Sequence, residues 1–154
     1  MKRILWIVVA IAVCFGVGYT ARLFQADSLE QWYPLLNKPS VMPPNAVFPI
    51  VWGIIYVCMG VSVGLLQPFV GWRKGELLVL FAVQLVLNFL WSFTFFYMQS
   101  PLIGLINILA LAWVVVAYIK KSYYVNKATS WLFVPYALWL AFATYLNAYV
   151  YVMN

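Results

Sequence analysis

Histidine is absent from this chain, and aspartate and glutamate together occur only three times among its 154 residues. The first absence removes the commonest general base, metal ligand and haem ligand at once. The second leaves Asp27, Glu30 and Glu76 as the whole supply of carboxylates, all read as loop or helix-end residues. Ion-coupled transporters and proton pumps hold an ionisable group at membrane depth despite a cost of roughly 3 kcal/mol or more, so the chain lacks their main signature. Asp27 and Glu30 are three apart and could pair on a short helical turn for acid/base work, but solvated loop charges with a capping role are the preferred reading. Cysteine is scarce too. Cys14 and Cys58 fall mid-way along apolar runs, read as small packing residues, and say nothing about redox compartment.

What fills the chain is apolar: 67% of residues are hydrophobic, 8% are charged, and the mean hydropathy is +0.96. That composition specifies an all-α integral membrane protein. A spanning helix needs about 20 mainly apolar residues, and five such runs fit, at residues 4–24, 46–67, 77–98, 101–119 and 130–152. Residues 1–154 are therefore read as one five-helix domain with a structured loop at 25–45. The first run is too long for a signal peptide and lacks a small-residue cleavage pattern, so it is read as a retained helix. The net charge of +6 does not mark a nucleic-acid face, because the nine basic residues are scattered over loops. Lys2, Arg3, Arg73, Lys74, Lys120, Lys121 and Lys127 fall on one side and only Arg22 and Lys38 on the other, which predicts N-terminus inside and C-terminus outside.

The loop sequence WYPLLNKPSVMPPN at residues 32–45 carries four prolines, each fixing its own φ and pushing the preceding residue toward extended geometry. A shaped, aromatic loop between two helices predicts a lid. Asn45, Ser100-Pro101 and Thr129-Ser130 mark helix starts, and the short Met98-Gln99-Ser100-Pro101 link makes the third and fourth helices antiparallel neighbours. Pro49 and Pro135 lie in the first turn or two of their helices. Gly16, Gly18, Gly53, Gly60 and Gly64 permit close helix approach. The Gly60/Gly64 GxxxG reads as packing within one protomer, with a dimer face as the alternative.

Polar groups inside the helices are amides. Gln84, Asn88, Trp91 and Ser92 share a stripe on the third helix, and Asn107 and Asn147 sit on the fourth and fifth. An unpaired amide in hydrocarbon costs several kcal/mol, so each must face the bundle interior. Asn107 reads as interhelical glue, whereas for Asn88 both a neighbour and a ligand remain open as partners. Eight tryptophans form the second set. Trp6, Trp72 and Trp131 lie near helix ends as interfacial anchors, and Trp52, Trp91 and Trp139 lie deeper, beside Tyr56, Phe95 and Phe142. Flat faces beside a few amides suit a flat apolar ligand.

These residues resemble the translocator protein family, also called tryptophan-rich sensory proteins or peripheral-type benzodiazepine receptors, and its bacterial members in particular. The resemblance rests on W-Y-P-x-L-x-K-P-x-x-x-P-P at residues 32–44, F-P-I-V-W-G-I-I-Y at 48–56, Gln84-x3-Asn88-x2-Trp91-Ser92-x2-Phe95-Phe96, and Pro135-Tyr136-x-Leu138-Trp139-x2-Phe142-Ala143-x3-Asn147. It implies a five-helix bundle, usually a homodimer, with a ligand cavity covered by the first loop. Carried over by motif position, the ligand-binding residues are Tyr33, Pro43, Pro44, Phe48, Trp52, Asn88, Trp91, Trp139, Phe142, Ala143 and Leu146. Implied ligands are porphyrins, cholesterol, isoquinoline carboxamides and benzodiazepines. Residues 147–154 depart from the animal sterol-recognition pattern, since no basic residue follows the tyrosine.

The expectation is thus a membrane receptor or sensor for protoporphyrin-type tetrapyrroles, needing no metal and no cofactor beyond the porphyrin as ligand or substrate. Without histidine, a metal-free porphyrin held by stacking and amide hydrogen bonds suits the chain better than ligated haem. Two alternatives stand. One is an enzyme that oxidises porphyrin in light, with Trp52 and Trp139 as photochemical catalytic residues. The other is a tetrapyrrole or sterol transporter.

Overall fold

Apolar length dictates five crossings, and the computed structural model, which describes residues 2–154, contains five helical segments long and apolar enough to cross a membrane. They are α1 (Lys2–Gln31), α2 (Val47–Gly64), α3 (Trp72–Ser92, continued by a π-helical turn at Phe93–Tyr97), α4 (Pro101–Tyr123), and a broken fifth span made of α5 (Lys127–Trp131) and α6 (Val134–Met153). Among the described residues no strand is present. The fold is an all-α membrane bundle.

Several ends differ from the hydropathy reading: α2 stops at Gly64 rather than 67 and α4 runs to Tyr123 rather than 119, while three further differences have a local reason. α1 continues two turns past residue 24 because Gln25-Ala-Asp-Ser-Leu-Glu-Gln is polar yet rich in helix formers. Those turns carry Asp27 and Glu30, which are exposed helix residues rather than loop residues. α3 likewise starts at Trp72 rather than 77, taking in Arg73, Lys74 and Glu76. The fifth span is interrupted at Leu132-Phe133 because Pro135 has no N–H to offer the carbonyl of Trp131 one turn back. The α3–α4 link is as tight as expected: Gln99 takes a left-handed φ of 49°, and the Ser100 hydroxyl caps α4 by accepting from the Ile103 N–H.

α1 lies between α2 and α3, and α4 packs on α3 and on the fifth span, which closes back toward α2 through α5. The α1–α2 contact is the most extensive. It depends on Gly60 and Gly64, because a Cβ at Gly60 would sit 2.6 Å from the backbone nitrogen of Ile11, and one at Gly64 would sit 2.9 Å from the Cα of Ile7. The GxxxG face is therefore occupied within the protomer. At the end away from the loop, Tyr118 donates to the Ser62 hydroxyl at 3.0 Å, and that hydroxyl donates to the Thr129 carbonyl at 2.8 Å. The Thr129 hydroxyl returns a bond to the Ser62 carbonyl at 3.2 Å, and the Tyr118 ring lies 4.1 Å from that of Phe133. These satisfied polar groups draw α2, α4 and α5 together at one end. Nearer the loop α2 and α6 meet through aromatic side chains, Trp52 on Tyr136 at 5.9 Å and Phe48 on Trp139 at 5.6 Å. The gap between them leaves room for a cavity.

Candidate functional site

The cavity has a volume of about 520 Å³ and is walled by α1, α2, α3, α6 and the 32–46 loop, with an opening beside exposed Tyr19 and Arg22. Its size falls within the range of small-molecule sites. α3 supplies Asn88, Trp91, Ser92, Phe95 and Phe96, positions that recur at three and four and so share one face. α6 supplies Ala143, Leu146, Asn147 and Val150 by the same rule. Phe48, Pro49, Trp52, Gly53 and Tyr56 come from α2, and Phe15, Gly18, Tyr19, Ala21, Arg22, Gln25 and Leu29 from α1.

The amides are largely engaged in holding these walls. Asn88 donates to the buried Tyr136 hydroxyl at 2.9 Å, which links α3 to α6, while the residue still lines the cavity. Asn147 accepts from the Trp91 indole N–H at 3.0 Å and donates to the Pro101 carbonyl at 2.7 Å, so one side chain fixes the angle of a wall tryptophan and ties α6 to the start of α4. Asn107 donates to the Leu87 carbonyl at 3.2 Å, the glue expected of it. Gln84, one turn below Asn88, is fully buried outside the cavity, with Nε2 3.8 Å from the Met59 sulfur and Oε1 unpartnered among the described residues. Trp91 stacks on Phe95 at 5.7 Å, and Trp52 lies 5.5 Å from Tyr56. The interior is thus a set of oriented aromatic faces with amide groups between them.

The loop forms the roof. Tyr33 is buried against Phe96, its phenol donates to the Met42 sulfur at 3.4 Å, and burial pushes its pKa above the ordinary tyrosine value. Lys38 lies over the Tyr33 ring at 4.5 Å and donates to the Tyr33 carbonyl at 2.6 Å. Pro39 and Pro44 shape the turns: their carbonyls accept from the N–H groups of Met42 and Val47 at 3.0 and 2.9 Å. The loop is also clasped to the end of α6. The Asn37 N–H donates to the Asn154 side-chain oxygen at 2.8 Å, and the Asn154 amide returns a bond to the Asn37 carbonyl at 3.2 Å. Each such bond contributes about 1 kcal/mol or less at an exposed site. Asn154→Ala is accordingly expected to speed hydrogen exchange at the Asn37 amide and leave the thermal midpoint of the bundle unchanged, as exchange mass spectrometry and a melting curve would measure.

Of the eleven residues singled out in the sequence, Tyr33, Phe48, Trp52, Asn88, Trp91, Ala143 and Leu146 line this one cavity. Pro43 and Pro44 do not; they build the roof without facing in. Trp139 and Phe142 line a separate, shallow groove between α2 and α6, together with Val51, Ile54, Ile55, Pro135 and Leu138. Trp139 meets the cavity wall at Phe48, with ring centroids 5.6 Å apart. The sequence reading missed the whole α1 wall. Its available signal was the spacing of Arg22, Gln25 and Leu29 at i, i+3 and i+7, which continues a helical face past the end of the apolar run.

Residues 10–153 match the model of the TspO/MBR family. The chain is 40% identical over 157 residues to the tryptophan-rich protein TspO of Chlorobaculum tepidum, covering 99% of this chain and 98% of that one. It is 36% identical to a tryptophan-rich protein TspO of Archaeoglobus fulgidus, covering 99% of each. With the translocator protein of Homo sapiens it shares 32% identity over 140 residues, covering 89% of this chain and 82% of the human one.

Proposed function

Because this chain belongs to the TspO/MBR family of integral, multi-pass membrane proteins, we propose that it is a receptor or sensor that holds a metal-free, protoporphyrin-type tetrapyrrole in the cavity beneath the 32–46 loop. The observation that carries this reading is the cavity itself: about 520 Å³, walled by Trp52, Trp91, Phe95 and Phe96, with few polar groups. Flat π faces favour a flat conjugated ligand by offset stacking and by exclusion of water. The sequence has no histidine and, among the described residues, the cavity lining has no cysteine, so this reading rests on stacking and amide contacts. The ligand-contacting residues under this reading are Tyr33, Phe48, Trp52, Asn88, Trp91, Ala143 and Leu146, with Trp139 and Phe142 one layer out.

Titration of the purified protein with protoporphyrin, read by tryptophan quenching and the porphyrin absorption band, tests the site. Trp52→Leu combined with Asn88→Ala is expected to weaken binding at least about tenfold, from one stacking face and one polar contact. Equal affinity in the two proteins would remove the site.

A photochemical reading is favoured by one feature. Trp52 is in ring contact with Tyr56, itself on the cavity wall, and with the buried Tyr136 behind it. The receptor reading predicts that illuminating the protein with protoporphyrin in air gives no more oxidised tetrapyrrole than a Trp52→Phe control. Extra product that disappears in the control would transfer the assignment to light-driven oxidation.

A further inference from the structure

We propose that Arg22 makes this cavity selective for apolar ligands that carry a carboxylate, by receiving that carboxylate at the cavity wall; the proposal rests on the cavity being the ligand site. From the sequence, Arg22 reads as a charge at the outer end of the first helix. The structure places it on the cavity wall, part-way down the helix, with the residue itself still exposed. α1 runs on to Gln31, nine residues further, which puts Arg22 about 14 Å below the helix end. Hydrogen bonds fix the level of that turn. Ser28 donates to the Phe96 carbonyl at 2.5 Å where α3 ends, and Gln25 donates to the Ser92 hydroxyl at 2.7 Å, nearly one turn deeper. Arg22 follows Gln25 down the same face, toward the level of Asn88.

Arg22 is, among the described residues, the one charged residue lining the cavity. Among the described residues it has no ion pair, the single salt bridge being that of Lys121 with Glu76. Asp27 and Glu30, the carboxylates on its own helix, do not line the cavity. A guanidinium placed this far down a spanning helix is costly, and the cost is offset where it meets an anion. Its planar, doubly donating edge matches a carboxylate. The adjoining wall continues the polar pattern with Gln25, Ser92 and Asn45, while the opposite walls are aromatic. A ligand suited to both has a flat apolar body against Trp52 and Trp91 and an acidic arm toward α1. Within the tetrapyrroles, this selects those with free propionates over their esters.

The test compares protoporphyrin IX with its dimethyl ester on wild type, Arg22→Gln and Arg22→Lys in an uncharged detergent. Wild type is expected to bind the free acid about tenfold more tightly than the ester, the size of one charge-assisted contact. Arg22→Gln should lose that preference by weakening the acid alone, so the unchanged ester affinity serves as the folding control. Arg22→Lys should keep part of it. Equal affinities for acid and ester in wild type, or a gap unchanged in Arg22→Gln, would overturn the assignment while leaving the ligand site standing. Failure of both acid and ester to bind would remove the ligand site and this proposal together. Lipid discs with and without phosphatidylglycerol separate the sources of the anion. A ligand carboxylate at Arg22 preserves the gap in both, whereas a gap abolished by phosphatidylglycerol would assign Arg22 to a lipid phosphate and overturn the proposal.

Discussion

Ala143→Phe is expected to lower affinity for protoporphyrin by at least about 100-fold, close to 2.7 kcal/mol, without unfolding the bundle. Ala143 is buried on the cavity face of α6, on the same stripe as Leu146, Asn147 and Val150. A ring built there projects into the space enclosed by Trp52 and Trp91, so it competes with a flat ligand for the same volume. Overfilling a packed core costs about 1–3 kcal/mol, but here the added atoms enter a void, and the stability loss should lie below that range. Trp139→Phe is the matching control. Because Trp139 faces the α2–α6 groove, its replacement should change affinity less than about threefold, under 1 kcal/mol. Titration of the two variants side by side checks both statements.

The second large effect concerns the fold. Gly60→Leu and Gly64→Leu each place a side chain where the α1 backbone already lies, at Ile11 and Ile7. Neither obstacle is the end of a flexible side chain, so α1 must move away along the element with which it shares its most extensive contact. A loss of about 3 kcal/mol or more is expected for either variant, at or beyond the upper end of the overpacking range. Gly53→Ala, where a Cβ meets nothing within 4 Å, should be nearly neutral. Thermal denaturation in detergent, followed by circular dichroism, would rank the three. Because α1 also supplies one wall of the cavity, the Gly60 and Gly64 variants should lose ligand binding in proportion to their loss of α1 docking.

The five crossings were legible because a long apolar run leaves the backbone no alternative to helix in hydrocarbon. Their ends were less so. Residues 25–31 are polar and helical at once, and only contacts such as Gln25 with Ser92 reveal that they continue α1. The break before α6 was implicit in Pro135, but whether a proline bends or interrupts a span depends on its neighbours. In the cavity, the α3 stripe was readable because amides and tryptophans recur at helical spacing. α1 was less readable, since its apolar residues surround the helix and only the spacing of Arg22, Gln25 and Leu29 marks a face. Trp139 shows the limit of reading depth without rotation: it lies one turn from Ala143, yet its companions Leu138 and Phe142 turn that stripe toward α2. A single residue of helical phase separates cavity from groove.

The most direct measurement is the nuclear magnetic resonance of methyl-labelled alanine and leucine during titration with metal-free protoporphyrin, whose ring current shifts any methyl lying over or beside the macrocycle. Ala143 and Leu146 line the cavity, Leu138 lines the outer groove, and Leu109 is exposed on the outside of α4. Binding beneath the loop predicts large saturable shifts at Ala143 and Leu146, with Leu138 and Leu109 nearly still. Large shifts at Leu138 with Ala143 and Leu146 unmoved would put the ligand in the groove beside Trp139 and contradict the cavity as its site.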